Sequence, residues 1–308
     1  MSLRVAAIDV GTNTTRLLIA EEQADGFRAI ERRMTVTRLG QGVDERRVLD
    51  PEALKRTLLT VADYVATCGE LAVDRVRVTG TSAVRDATNS DAFFAGVRSL
   101  TGSDPELLTG EAEARATFFG AVSDLGDGLP VLVVDIGGGS TELIVGLKEP
   151  ERLVSLDIGC VRMLEKHVRS DPPSADELAA LRAEVDEVLR QERDRLAVPL
   201  GTRLVGVAGT VTQLAALKSG LPVYDPDVTH HLVMSHGDVR LLARRLKGMT
   251  VSQRRRIKGL EPGRADVIVP GVEILLSVME VFDAAEVLVS EKDILDGLVL
   301  EMLEDSST

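Results

Sequence analysis

Two stretches far apart in the chain carry one pattern, and that repeat constrains the fold more than any other feature. Residues 6–19 read AAIDVGTNTTRLLI and residues 132–144 read LVVDIGGGSTELI. Setting Asp9 on Asp135 pairs Gly11 with Gly137, Thr14 with Ser140, Thr15 with Thr141 and Leu17 with Leu143. Each copy runs from an apolar strand through an Asp and a Gly-rich, hydroxyl-bearing turn into a second apolar run. Copies spaced by a domain length predict two related domains rather than a short-period solenoid.

The segment after each turn decides the turn's type. A dinucleotide-binding turn or a Walker loop opens a helix, whose N-terminus holds the phosphate. Here TRLLIA and TELIVGL are short, rich in Leu, Ile and Val, and end in charged EEQADG or at Gly146. Short apolar runs bounded by turn signals favour strands. No Lys-Ser/Thr follows the glycines either. Each element is therefore a β-hairpin whose backbone N–H groups and hydroxyls can cup a phosphate, with glycine permitting close approach.

The rest of the chain fits two α/β halves. In the first, strands near 3–9, 15–22 and 28–38 precede a helix at 51–67, with Asp50 as N-cap and Pro51 at its first position. A strand at 75–80, a helix at 90–101, a strand near 106–108 and a helix at 111–122 come next. The second half has strands near 131–136, 141–147 and 152–158, helices at 160–168 and 175–195, a strand at 203–207 and a helix at 210–218. The boundary falls in SDLGDGLP, residues 123–130. Asn89 reads as the N-cap of the 90–101 helix, with Asp91 in its first turn.

The 308 residues are 44% hydrophobic and 28% charged, the profile of a soluble globular chain. No apolar run reaches bilayer length, no signal-peptide cleavage site follows the N-terminus, and the two cysteines, Cys68 and Cys160, read as buried thiols. A cytoplasmic protein with no membrane partner is expected. A net charge of −13 argues against nucleic-acid binding. Between Arg240 and Lys258, however, lie eight basic residues and no acidic one. That stretch is either a solvated helix pair or a cationic track for a polyanion. His230, His231 and His236 lack metal-ligand spacing, so zinc is not expected.

Paired D-x-G-x-x-[ST] hairpins on two α/β halves resemble the actin, sugar-kinase and heat-shock-chaperone superfold. Within it the chain is similar to the exopolyphosphatase/guanosine pentaphosphate phosphatase (Ppx/GppA) family. The resemblance rests on DVGTNTTRLLIA (9–20), TRLGQGVD (37–44), TSAVRDATNSDAF (81–93), TGEAEARATFFGAV (109–122), DIGGGSTEL (135–143), VAGTVTQLAAL (207–217), PGRADVI (262–268) and VSEKDILDGLV (289–299), all in order. Two positions depart from it. Ala112 replaces the first of two adjacent glutamates, leaving Glu113. Leu295-Asp296-Gly297 stands where the family usually shows R-E-G, placing a carboxylate where a cation would help hold an anionic substrate.

The resemblance implies two ribonuclease-H-like domains, residues 1–124 and 125–292, with the active site in the cleft between them. A helix at about 293–304 is expected to pack back on the first domain. Hydrolysis of a terminal phosphoanhydride needs a phosphate cradle, charge neutralisation and a base for water. The cradle is assigned to Gly11, Thr12, Asn13 and Thr14 in one hairpin and to Gly137, Gly138, Gly139, Ser140 and Thr141 in the other. Asp9 and Asp135 would repel phosphate unless they act through a divalent cation, Mg²⁺ or Mn²⁺. Arg16 aligns with Glu142, a swap that suits one hairpin offering a cation to phosphate and the other a second carboxylate to the metal.

Glu113 is placed as general base, a role the resemblance supports, and Glu111 as a favourable first-turn carboxylate. The resemblance further implies that Arg85 and Arg264 bind phosphate and that Gly209 and Thr210 form a nucleotide-side motif. The activity it implies is an exopolyphosphatase acting on short to medium inorganic polyphosphate. The alternatives are a guanosine pentaphosphate (pppGpp) 5′-phosphohydrolase or nucleoside polyphosphatase, a non-enzymatic sensor of guanosine polyphosphates, and a sugar or acetate kinase of the same superfold. A homodimer is left open.

Overall fold

The computed structural model describes residues 2–24, 26–126 and 128–305. Asp127, inside the expected boundary stretch, lies outside them. The chain forms two compact units, Met1–Ser123 with Lys292–Thr308, and Asp124–Glu291.

Unit 1 begins with β1 (Arg4–Val10), β2 (Thr14–Gln23) and β3 (Gly26–Val36). After these come α1 (Val43–Arg46), α2 (Pro51–Glu70), β4 (Arg75–Gly80), α3 (Ser82–Asp86), α4 (Asp91–Thr101), β5 (Glu106–Leu107) and α5 (Gly110–Val122). The sheet order is β3-β2-β1-β4-β5, antiparallel from β3 to β1 and parallel from β1 to β5. β1 alternates within a doubly covered sheet. Ala6, Ile8 and Val10 pack with Tyr64 of α2 and Phe93 and Val97 of α4. Val5 and Ala7 pack on the opposite face against the chain's last helix.

Unit 2 repeats the opening as β6 (Val131–Ile136), β7 (Thr141–Gly146) and β8 (Pro150–Leu156). It continues through α6 (Cys160–His167), α7 (Ala175–Leu196), β9 (Arg203–Val207), α8 (Ala208–Lys218) and α9 (Pro226–Thr229). Next come β10 (Val233–Ser235), α10 (His236–Lys247), α11 (Val251–Arg254), a 3₁₀ turn (Pro262–Arg264), α12 (Ile268–Val281) and β11 (Glu286–Val289). The order β10-β11-β9-β6-β7-β8 is that of unit 1 with one further edge strand. α12 is buried along nearly its whole length, and Leu181, Val185 and Leu189 recur every four residues on α7 to join the same core.

The last helix, α13 (Ile294–Glu304), belongs to unit 1. It crosses α5 at two glycines that bring backbone onto backbone. A Cβ on Gly297 would sit 1.8 Å from the Ala116 carbonyl oxygen, and one on Gly120 would sit 1.9 Å from that of Asp293.

Local chemistry accounts for the elements that the sequence predicts. Asp50 accepts from the N–H groups of Glu52 and Ala53 and caps α2, with Pro51 behind it. Asn89 is corrected: it does not cap α4. Its amide bridges both backbone groups of Leu49 (2.8 and 3.1 Å), and Ser90 holds the cap position without a side-chain bond. α8 starts at Ala208, two residues earlier than expected, and that residue takes a left-handed φ of 61°. Cys68 and Cys160 are free and buried, and burial pushes both thiols up to about 11. Among the described residues no helix is long and apolar enough to cross a membrane.

Candidate active site

The two hairpin turns share a backbone device. Gly11 N–H donates to the Thr14 carbonyl at 2.9 Å, and Gly137 N–H to the Ser140 carbonyl at 3.0 Å, so the turns close at equivalent residues. In each turn the carbonyls are taken by neighbouring chain. Thr12 O accepts from Gly40, and Asn13 O from Thr37 and Arg38. Gly137 O accepts from Cys160, Gly138 O from Val161 and Arg162, and Gly139 O from the Arg162 guanidinium. Among the described residues nothing accepts from the N–H groups of Thr12 and Asn13, or of Gly138, Gly139 and Ser140. The buried Asn13 Nδ2 likewise lacks a partner. A buried donor without an acceptor is costly, so a cluster of them marks a place for an anion.

Strand register sets what stands behind each turn. Asp9 lies opposite Arg16 in the β1–β2 ladder, and Asp135 lies opposite Glu142 in β6–β7. Arg16 bonds Asp9 at 2.7 Å and also Asp293, the N-cap of α13. The guanidinium expected to meet phosphate is thus engaged by two carboxylates. Burial pushes Asp9 above the usual carboxylate range, and Arg16 opposes that shift. In unit 2 a carboxylate replaces the arginine. Asp135 is 6% and Glu142 1% exposed, and Glu142 accepts from Ser155 at 2.7 Å. Two buried oxygen donors in register suit a hard divalent cation such as Mg²⁺. Asp9, held by Arg16, suits one less well.

Glu113 and Arg85 come together in unit 1. Thr109 caps α5 by accepting from Ala112 N–H, which fixes the first turn and sets Glu113 inward. Arg85, in the unpredicted one-turn helix α3, donates Nη1 to Glu113 Oε2 at 2.8 Å and to the Leu108 carbonyl at 2.7 Å. Its remaining nitrogens have no partner among the described residues. Burial raises Glu113 above its ordinary value, with Arg85 pulling the other way. Glu111, in the same turn, is exposed.

In unit 2, Gly209 and Arg264 also meet. The Arg264 guanidinium occupies the space that a Cβ on Gly209 would fill, 1.6 Å from its Nη1. Thr210 follows at the start of α8, whose N-terminus carries no side-chain cap. Donor N–H groups and a guanidinium thus share one end of that helix.

One further sequence reading changes, and two features come from the structure alone. Asp296 does not confront substrate, being 2% exposed, closing the α13 capping box on Asp293 and pairing with Arg32 at 2.7 Å. Asp293, which orients Arg16, has no local sequence signal except its place before a helix. Asp124 joins His230 and His231, with ligand atoms within 4.8 Å. His230 Nδ1 accepts from Glu291 N–H, so its Nε2 carries the proton donated to Asp124 at 2.9 Å. That ring is arranged as a donor to carboxylate rather than as a metal ligand.

The 3-2-1-4-5 strand order in both units, with a closed phosphate-type hairpin opening each, defines a protein of the actin, sugar-kinase and heat-shock-chaperone superfold. A solved exopolyphosphatase-like protein, 34% identical, superposes with a TM-score of 0.95 over 100% of this chain and 99% of its own. The model of the Ppx/GppA phosphatase family matches residues 18–306, and the chain belongs to that family. Exopolyphosphatase 2 of Mycobacterium tuberculosis is 41% identical over 97% of this chain and 98% of its own length. A guanosine-5′-triphosphate,3′-diphosphate pyrophosphatase of Vibrio parahaemolyticus is 29% identical over 97% of this chain and 59% of its own length.

Proposed function

We propose that the protein is an exopolyphosphatase that releases terminal orthophosphate from short to medium inorganic polyphosphate. The observation that carries this reading is in unit 1. A cup of unpartnered donors at Thr12 and Asn13 shares that unit with a half-buried glutamate whose proton affinity is raised and whose position is fixed by an arginine. Full-length similarity to the mycobacterial exopolyphosphatase supports the substrate class.

In this mechanism the N–H groups of Thr12 and Asn13 bind phosphate oxygens and hold the chain end in place. Glu113 accepts the proton of the attacking water, and its raised proton affinity makes it a stronger base than a solvated glutamate. Arg85 fixes the Glu113 carboxylate through Nη1 and offers its other nitrogens to the terminal phosphate. Arg16 neutralises Asp9 so that the first hairpin does not repel the substrate. Asp135 and Glu142 would hold Mg²⁺ or Mn²⁺, which supplies positive charge against phosphate oxygens when bound. In unit 2, Gly209, Thr210 and Arg264 form a donor cluster that suits an anion.

The Vibrio relative favours a second reading, a pppGpp 5′-phosphohydrolase acting with the same residues. Phosphate release from tripolyphosphate, medium-chain polyphosphate, pppGpp and ATP separates the two. Polyphosphate is expected to turn over fastest, with chelation abolishing release and Mg²⁺ or Mn²⁺ restoring it. Release from pppGpp alone moves the protein to the second reading. Tight guanosine polyphosphate binding with no release of any kind makes it a sensor.

Arg85→Gln tests the tuning of the base. Arg85 lowers the Glu113 pKa against burial, so removing it raises that pKa further. The acid limb of the kcat/KM profile is then expected to move to higher pH, with partial recovery as pH rises, and Arg85→Lys to restore part of the shift. An unmoved acid limb would show that the group titrating there is not Glu113.

A further inference from the structure

The basic stretch that the sequence leaves with two readings is built as a surface in unit 2. On α10 the apolar residues Val239, Leu242, Ala243 and Leu246 are buried. Arg240, Arg244 and Lys247 recur at i, i+4 and i+7 on the exposed side, lining roughly 10 Å of one face. Beyond Gly248 the chain turns through α11, and that turn is pinned from inside. Arg254 is 1% exposed, donates to the carbonyls of Ala265 (2.7 Å) and Met249 (3.2 Å), and lies 3.5 Å from Asp171. Asp171 also accepts from Val251 N–H at 2.8 Å. The next cations, Arg255, Arg256 and Lys258, face solvent from this fixed turn.

Among the described residues the side chains of Arg240, Arg244, Arg245, Arg255, Arg256 and Lys258 make no hydrogen bond or ion pair. Lys247 alone of the exposed set reaches a carboxylate, Glu273 at 3.8 Å. Like charges four apart on a helix destabilise it, so the arrangement gains nothing within the fold. On a chain of net charge −13 the general field repels polyanions, and a local concentration of unpaired cations offsets that repulsion where it stands. Residues 237–258 contain no aromatic side chain on which a base could stack, and α10 exposes a single large apolar side chain, Leu241, too little to insert into a bilayer.

We propose that the exposed basic face of α10 and the 255–258 turn form a second binding site for linear inorganic polyphosphate, holding a segment of the chain other than the one being cleaved. The choice of polymer rests on the exopolyphosphatase reading above, while the site itself rests on the unpaired cations. It gives chains long enough to engage it an affinity that tripolyphosphate does not share.

The test combines Arg244→Gln, Arg255→Gln and Arg256→Gln, all exposed and without intramolecular partners. Binding of long-chain polyphosphate is measured in a Glu113→Gln background across a salt series. The triple variant is expected to bind at least about tenfold more weakly at low salt, with the slope of log K against log salt reduced by about 2, since each cation removed contributes about 0.7. In otherwise unaltered protein, KM for medium-chain polyphosphate rises by a similar factor while kcat/KM for tripolyphosphate stays the same. Unchanged binding and slope overturn the proposal. So does single-stranded RNA that outcompetes polyphosphate at equal charge, or capture by anionic vesicles without polyphosphate binding. If nothing is hydrolysed but the triple variant still loses polyphosphate binding, the second site stands and the catalytic reading fails. Hydrolysis with unaltered chain binding means the reverse: the catalytic reading stands and the second site falls.

Discussion

Glu113→Gln is expected to lower kcat about a thousandfold on the best phosphoanhydride substrate, with KM and thermal unfolding little changed. The substitution is nearly isosteric, and the amide oxygen can still accept from Arg85, so the local packing survives. What disappears is the carboxylate lone pair that takes the proton from water. An amide cannot replace it at any pH, so the acid limb of the rate profile should vanish along with the rate. Glu111→Gln provides the control. It lies two residues away in the same first helical turn but is exposed, and its replacement should leave turnover as it is. A Glu113→Gln enzyme with more than about a tenth of the parent rate would assign the base elsewhere.

Gly297→Ala is expected to destabilise unit 1 by about 3 kcal/mol, at the upper end of overpacking costs. The new methyl would fall 1.8 Å from a main-chain oxygen of α5, and no rotamer can relieve that contact. The helices must separate, loosening Leu298 and Val299 from β1 and β2 and displacing Asp293 from Arg16. The activity loss should therefore accompany the stability loss, even though Gly297 is not among the residues proposed to bind phosphate. Gly69→Ala serves as the counterpart: nothing lies within 4 Å of its new Cβ, and Ala is the better helix former. Thermal denaturation of both variants should show a clear drop for the first and a neutral or slightly raised midpoint for the second.

The hairpins were legible because every signal they need is local. An apolar strand, an acidic residue, a glycine turn and a second short apolar run fix period, length and register together. The repeat alignment even placed Arg16 and Glu142 at matching positions, and the ladders put them opposite Asp9 and Asp135. What those side chains do was not legible. The second carboxylate that engages Arg16 is 277 residues away, and a repeat alignment carries no trace of it. Asn89 shows the same limit on a smaller scale, because a capping residue can spend its amide on a distant backbone. α3 escaped notice because it is a single turn after Thr81 with no side-chain cap to announce it, yet it carries Arg85. Asp296 looked like a liability for an anionic substrate until the Arg32 pairing and the capping box gave it a structural task.

Unit 1 is written in two separate parts of the chain, with the whole of unit 2 between them. During vectorial synthesis the hairpin bearing Asp9 and the helix bearing Glu113 leave the ribosome early, but the face of β1 that α13 covers stays bare until residues 292–305 are made. The second unit, contiguous in the message, can reach its native state while the first is still waiting. Any premature stop in the final stretch would therefore leave the finished second unit attached to a first one with an exposed hydrophobic sheet. Such a product is a substrate for quality control rather than a slower enzyme.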